Sequence, residues 1–344
     1  MIQFIIVFIT ALIGTAIATP IAIKIAPKIG ALDIPKDNRR MHDHPIPRFG
    51  GIAVFCGIMA GFIRLRPLNT QLMGLLVATV LMLIVGIADD LKGLSPKLKL
   101  AGQLLCAVIV WATGTRVSGI TNAFEIGELI SFPSAVSFVI TIFWIVGITN
   151  AVNLVDGLDG LAAGVSMIAS LAIACTAYIS EKSEMTIMAC AVAGACLGFL
   201  IYNFHPAKIF MGDAGALQLG FLLSTISLIG DTPAKSTTLF ATIVPIMILA
   251  LPIFDTAFAI IRRVANHKPI MQADKGHIHH RLMAMGLGQR KTVLVLYLFC
   301  IVTGAAGISW TLGNRLISCL VIALVVIFVL VFLNMEYRRE DKNK

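Results

Sequence analysis

Charge is scarce in this sequence. Asp, Glu, Lys and Arg make up 13% of its 344 residues, against about 25% in soluble domains, and a soluble chain of this length would need far more. The counterpart is an apolar fraction of 58% and a mean hydropathy of +0.92, gathered in blocks. Disorder, collagen, a disulfide-stapled secreted scaffold and an ordinary soluble α/β enzyme are therefore excluded. CxxC pairs are absent as well. Cys56, Cys106, Cys175, Cys190, Cys196, Cys300 and Cys319 sit singly in apolar runs, as small hydrophobes rather than a disulfide framework or a metal site. No charge precedes Lys24, so the first run lacks the basic start of a cleavable signal and reads as a retained span. There is no Walker A, Rossmann fingerprint or HExxH, which leaves ATP hydrolysis and zinc proteolysis without support. No aromatic-interleaved basic module points to nucleic acid.

What is present is a series of apolar runs of membrane-crossing length. Eleven are expected, at roughly 1–24, 48–65, 70–88, 98–114, 134–150, 158–179, 185–202, 213–230, 237–261, 291–311 and 315–335. The fold class is thus all-α: a polytopic integral membrane protein forming one transmembrane domain over 1–344, with inner loops at about 25–47, 89–97, 151–157, 203–212 and 262–290. Lys and Arg stay cytoplasmic in short loops. One set of loops and the C-terminal tail hold 21 of them, the opposite set 6. This places the N-terminus outside and the C-terminus inside, as an odd span count requires. The net charge of +9 is mostly that bias, aided by anionic lipid on the inner leaflet.

Polar chemistry gathers on the same inner side. All seven histidines fall in inner loops, as do Asp33, Asp37, Asp43, Asp89, Asp90, Asp156, Asp159, Asp213 and Asp274, while the outer acids form no cluster. A transporter should carry polar groups near the bilayer midplane and an internal repeat. Neither is evident, which favours an enzyme joining a water-soluble substrate to a lipid over a lipid or sugar transporter.

Four inner segments carry the case. Asp89-Asp90 close the third span, and adjacent carboxylates there are stable only if solvated or sharing a cation. Asn150-Ala151-Val152-Asn153-Leu154-Val155-Asp156-Gly157-Leu158-Asp159-Gly160 concentrates oxygen ligands. On a helix Asn153, Asp156 and Asp159 would share a face, a set suited to Mg²⁺ or to hydrogen bonding with a base or sugar. His205-Pro206-Ala207-Lys208-Ile209-Phe210-Met211-Gly212-Asp213-Ala214-Gly215 puts Asp213 at an expected N-cap, where free N–H groups and a metal would bind a diphosphate. Asp274-Lys275-Gly276-His277-Ile278-His279-His280-Arg281-Leu282 has no partner spacing for zinc, and reads better as donors to phosphate or sugar. Asp255, inside the ninth span, is either functional or the partner of a buried cation.

These segments occur in one order on one predicted face, and together with RRMHDHPIPRFGG they closely resemble the polyprenyl-phosphate N-acetylhexosamine-1-phosphate transferases over essentially the whole chain. The resemblance implies a Mg²⁺-dependent reaction, with Mn²⁺ able to substitute. UDP-sugar and polyprenyl phosphate give polyprenyl-diphosphate-sugar and UMP at the cytoplasmic face of the inner membrane. It implies Asp213 as principal metal ligand assisted by Asn153, with Asp89 and Asp90 as the essential pair beside the metal. It further implies Asp156 and Asp159 at the nucleotide, Asp159 against the uracil, and Lys99 with Lys97 at the lipid phosphate. His277, His279, His280 and Arg281 would meet the diphosphate and sugar. A phosphate monoester with a pKa near ~6 is already mostly dianionic at pH 7, so direct attack is favoured over a phospho-aspartate. Ile278 interrupts the histidine run, which resembles the enzymes that load N-acetylglucosamine-1-phosphate to begin O-antigen, enterobacterial common antigen or teichoic acid. The muramoyl-pentapeptide sister group shows consecutive histidines instead. The implied partners are UDP-GlcNAc, undecaprenyl phosphate and membrane lipid, with no nucleic acid. Another UDP-amino sugar and a homodimer both stay open.

Overall fold

In lipid a backbone must satisfy its own hydrogen bonds, and long apolar runs do so as helices. A computed structural model describes residues 1–34, 44–65, 68–121, 129–229, 239–265 and 276–327. Its helices are α1 (Ile2–Ile25), α2 (Gly50–Phe62), α3 (Thr70–Lys92), α4 (Pro96–Ala112), α5 (Ser134–Val155), α6 (Leu161–Ile179), α7 (Ser183–Asn203), α8 (Gly212–Ile226), α9 (Leu239–Ile248), α10 (Ala250–Ala265), α11 (Ile278–Ala284) and α12 (Gln289–Thr311), followed by α13 (Arg315–Ile327). Two small antiparallel ribbons interrupt the all-helical expectation: β1 (Leu32–Asp33) with β2 (Ile46–Pro47), and β3 (Gly119–Thr121) with β4 (Leu129–Ser131). Parts of the expected inner loops (35–43 and 266–275) and the tail from 328 lie outside the described residues. With them go Asp37, Asp43 and Asp274.

Six helical segments are long and apolar enough to cross a membrane: residues 2–29, α3, α5, α6, α7 and α12. The chain is therefore a multi-pass membrane protein. The remaining expected spans are shorter helices, and the run 237–261 is two helices rather than one. Pro252 explains that break. It lacks the N–H that would bond the Ile248 carbonyl, so α9 stops at Ile248 and α10 starts at Ala250.

The middle of the bundle is α8, packed against α2, α3 and α5. Every residue of α8 is buried except Asp213. Such burial requires close neighbours. A Cβ on Gly86 of α3 would lie 2.3 Å from Ala214 Cα, and one on Gly51 of α2 would lie 2.2 Å from the Gly215 nitrogen. Small residues let membrane helices approach to backbone contact, and here they bring three helix ends together around Asp213. A second apolar cluster, including Val155, Leu158, Leu251, Leu282 and Leu296, seats α11 beneath the 156–160 turn.

Candidate active site

Asp213 is the second residue of α8, not its N-cap; that position belongs to Met211. The cap arrives from another helix. Asp90, near the end of α3 and 1% exposed in its side chain, accepts from the Asp213 nitrogen at 2.8 Å through Oδ1 and from the Ala214 nitrogen at 2.9 Å through Oδ2. Two amides expected to face a diphosphate are thus already bonded to a carboxylate. A carboxylate at a helix N-terminus is well placed, since it meets free N–H groups and the positive end of the dipole. Gly212 makes the approach possible: its φ is +72°, and a Cβ there would come within 2.6 Å of Asp90 Oδ2.

Capped from α3, Asp213 has its own carboxylate free for side-chain partners. Lys99 Nζ lies 2.6 Å from Oδ1, Arg48 hydrogen-bonds Oδ2, and the Asn153 side chain bonds the same carboxylate. Lys99 also reaches Asp89 Oδ2 at 2.9 Å, while Asp89 Oδ1 accepts from the Leu94 nitrogen at 2.8 Å. Arg48 Nε stands 3.1 Å from Asp90 Oδ1. Burial opposes the charge on Arg48, but Asp90 and Asp213 outweigh it and hold the guanidinium above its ordinary value. The basic residues of the first inner loop look like topological bias in the sequence, and only its fold onto α8 gives Arg48 a place in the site. Gly50 and Gly51 donate to the carbonyls of Phe210 and Met211 at 3.0 and 2.9 Å, which fixes that loop against the start of α8. Lys97 is exposed at the start of α4, and its side chain has no hydrogen bond or ion pair among the described residues.

The NAVNLVDGLDG segment is not one helical face. The α5 helix ends at Val155, Asp156 is its C-cap, and the chain turns through Gly157 and Gly160. Asn153 therefore stays with Asp213, whereas Asp159 turns away. Asp159 Oδ2 lies 2.8 Å from His205 Nδ1 and accepts from the Ala207 nitrogen at 3.1 Å. Asn203 completes the clasp, accepting from the Gly160 nitrogen at 3.0 Å and donating to the Ile209 carbonyl at 2.8 Å. Asp156 keeps part of its surface accessible. Burial, opposed by Arg48 and reinforced by Asp213, Asp90 and Asp159, pushes its carboxyl up to about 7.

The histidine segment forms the seven-residue α11, held by Asp255. That carboxylate lies 2.9 Å from His277 Nδ1 through Oδ2 and accepts from the Ile278 nitrogen at 2.8 Å through Oδ1. Asp255 thus partners a buried histidine. His279 is 2% exposed and lies against Gly157, where a Cβ would come 2.4 Å from its Nε2. Burial and the neighbouring His280 push its pKa down to about 4, so its ring is neutral at pH 7. His280 packs tilted on His279, with ring centroids 4.2 Å apart. Arg281 Nε and Arg262 both donate to the Gly276 carbonyl, at 2.7 and 3.0 Å. Beside them an apolar cavity of about 380 Å³, lined by Leu251, Phe258, Leu296, Phe299 and Val321 among others, runs between α10, α12 and α13.

The donor set has a chemical character. Mg²⁺ in enzymes is usually held by one or two carboxylates with substrate phosphates and water, rather than by an all-protein cage. Among the described residues no three His, Cys, Asp or Glu side chains converge as a metal-binding group. Asp213, whose carboxylate partners are all side chains, fits the first pattern together with the Asn153 amide, whereas both oxygens of Asp90 are tied to backbone amides of α8.

Comparison with known proteins places these features in a family. Residues 72–231 match the model of glycosyl transferase family 4, a stretch that contains Asp89, Asp90, Lys99, Asn153, Asp156, Asp159 and Asp213. A Bacillus subtilis protein named probable undecaprenyl-phosphate N-acetylglucosaminyl 1-phosphate transferase is 44% identical over 308 residues, covering 88% of this chain and 83% of its own. A Thermotoga maritima undecaprenyl-phosphate alpha-N-acetylglucosaminyl 1-phosphate transferase is 31% identical over 82% of both chains. A Bacillus licheniformis phospho-N-acetylmuramoyl-pentapeptide-transferase is 32% identical over only 53% of this chain and 60% of its own. With its motifs in order along the chain, a carboxylate–cation centre at the start of a buried helix and relatives of this identity along most of its length, the chain belongs to glycosyl transferase family 4.

Proposed function

We propose that this protein transfers GlcNAc-1-phosphate from UDP-GlcNAc to undecaprenyl phosphate, giving undecaprenyl-diphosphate-GlcNAc and UMP, on the cytoplasmic face of the inner membrane. The observation that carries the reading is the Asp213 carboxylate, the one accessible residue of α8, held between Lys99, Arg48 and Asn153. The names and extent of the relatives favour GlcNAc as the sugar.

Both reactants are anions, so the site must offset their repulsion and align them. Asp213 and Asn153 would hold Mg²⁺, which when bound neutralises diphosphate charge. Lys99, in the first turn of α4, meets the acceptor phosphate, and Arg48 takes a donor phosphate. An oxygen of the lipid phosphate attacks the β-phosphorus, and a new P–O bond forms there. The bond from that phosphorus to the bridging oxygen breaks, and the electron pair leaves on the α-phosphate of UMP. No aspartate need be the nucleophile: Asp90 has both oxygens engaged by backbone amides, and Asp89 is engaged by Lys99 and the Leu94 amide. Asp156 and the turn clasped by Asp159 and Asn203 face the nucleotide, with α11 at the sugar. The apolar cavity beside Arg262 and Arg281 has the character of a seat for an anionic amphiphile.

Purified protein with Mg²⁺ and undecaprenyl phosphate should release UMP from UDP-GlcNAc, and not from UDP-GalNAc or UDP-MurNAc-pentapeptide. Release from another donor alone would keep the reaction and change the sugar. No release with any of the three would return the transporter reading.

A further inference from the structure

One turn deeper in the membrane than the carboxylate centre, two carboxamides face each other. Gln103, on α4 and 1% exposed, donates from Nε2 to Asn150 Oδ1 at 3.1 Å, and Asn150, on α5, donates from Nδ2 to Gln103 Oε1 at 2.6 Å. The second amide hydrogen of Asn150 goes to the Val146 carbonyl of its own helix at 2.8 Å. The pair is reciprocal and satisfied, in surroundings where an unpaired amide is costly. Generic helix cohesion does not require two polar side chains here, since small residues and apolar packing already serve that end in lipid.

Their positions along the helices suggest what they do. Residues four apart, and three apart, lie one above the other on a helix face. Gln103 is one turn from Lys99 on α4, and Asn150 is one turn from Asn153 on α5. Lys99 and Asn153 both end on the carboxylate of Asp213. An apolar contact between α4 and α5 would tolerate sliding or rotation, whereas a two-bond amide pair has a single register.

We infer that Gln103 and Asn150 are positioning residues: their reciprocal amide bond locks α4 against α5 so that Lys99 and Asn153 meet Asp213 from fixed directions. The inference rests on the proposed transferase activity, and its test separates the two. In Gln103→Leu/Asn150→Leu both partners become apolar, leaving no orphaned amide, and such paired replacement is close to neutral for stability. The thermal midpoint in detergent should stay near that of the parent. The kcat should fall about 10- to 100-fold, the penalty for misplacing reacting groups by about 1 Å, while the KM for UDP-GlcNAc stays within about two-fold. The exchanged pair, Gln103→Asn/Asn150→Gln, restores two amide bonds and should recover most of the rate. Mn²⁺ affinity, read by electron paramagnetic resonance on the full chain without donor, should weaken in the leucine pair and return in the exchange. A leucine pair as fast as the parent with unchanged Mn²⁺ affinity overturns the inference, as does an exchanged pair as slow as the leucine pair. If the parent itself releases no UMP, the transferase reading fails, and Mn²⁺ affinity alone still decides the role of the pair.

Discussion

Removing the Asp90 carboxylate would leave the amides of Asp213 and Ala214 without an acceptor at a buried helix start and strip Arg48 of one counter-charge. Removing the Asp213 carboxylate takes one counter-charge from Lys99 and one from Arg48, but it orphans no amide, and each cation keeps a second acid, Asp89 for Lys99 and Asp90 for Arg48. The two substitutions should therefore separate. Asp213→Ala is expected to lower UMP release by at least ~10²-fold with an unchanged thermal midpoint. Asp90→Ala should lose activity and also about 2 kcal/mol of stability, read as a lower midpoint in the same detergent. Equal midpoints for the two variants would remove the capping role of Asp90. His279 allows a pH test. Its pKa stands near 4 in the folded protein against 6.5 for the free side chain. Between those values the unfolded chain takes up a proton that the folded chain refuses, so stability is complete above pH 6.5 and falls as the pH drops towards 4. The loss is at most roughly 3 kcal/mol. Lowering the pH from 7.5 to 5 should depress the parent's thermal midpoint, and depress that of His279→Asn less.

Between elements the decisive contacts join segments far apart in the chain, which is why only part of the site could be read from the sequence. Asp89, Asp90 and Asp213 were visible because carboxylates at the ends of apolar runs need a reason. The pairing of Asp90 with α8 was not, because 123 residues separate Asp90 from the Asp213 amide. Asn153 and Asp159 looked like one helical face, and the glycines that end α5 send them to different partners. His205 opens one of the four inner segments, but its pairing with Asp159, 46 residues away, had no local signal. Asp255 was ambiguous for the same reason, with His277 22 residues on. Its two bonds set the start of α11, so Asp255→Ala should let the histidine helix drift. The expected result is a KM for UDP-GlcNAc raised about tenfold or more, the scale of losing a charged hydrogen bond, with a smaller change in kcat. An unchanged KM would separate α11 from donor binding. Close packing gives a second element-scale test. Gly86→Val puts a branched side chain where even a Cβ lies 2.3 Å from Ala214 Cα. It should force α3 off α8 and cut the yield of monodisperse protein sharply, while Gly147→Ala, with nothing within 4 Å of its added Cβ, should not.

At the scale of the whole molecule, the site constrains the topology more tightly than helix length does. Arg48 precedes α2, Asp89 and Asp90 end α3, Lys99 begins α4, Asn153 ends α5, Gly160 precedes α6, Asn203 ends α7 and Asp213 begins α8. These residues bond one another in two adjoining groups, with Asp156 close enough to Arg48, Asp213 and Asp159 to interact electrostatically with all three. Starts and ends alternate without exception, so each of α2 to α8 must run away from that face or back to it. The short helices α2, α4 and α8 would then be expected to cross as the long ones do, their brevity offset by protein rather than lipid around them, most completely for α8. Taking α9 and α10 as one interrupted pass gives the odd number of crossings that the Lys and Arg bias demands. The C-terminus should accordingly lie with the site on the cytoplasmic side and the N-terminus outside. A fluorescent protein fused after Lys344 should fluoresce and alkaline phosphatase at the same point should be silent, while phosphatase inserted in the turn between α6 and α7, at Glu181, should be active. Active phosphatase after Lys344 would mean an even number of crossings and overturn the reading of α9 and α10 as one interrupted pass.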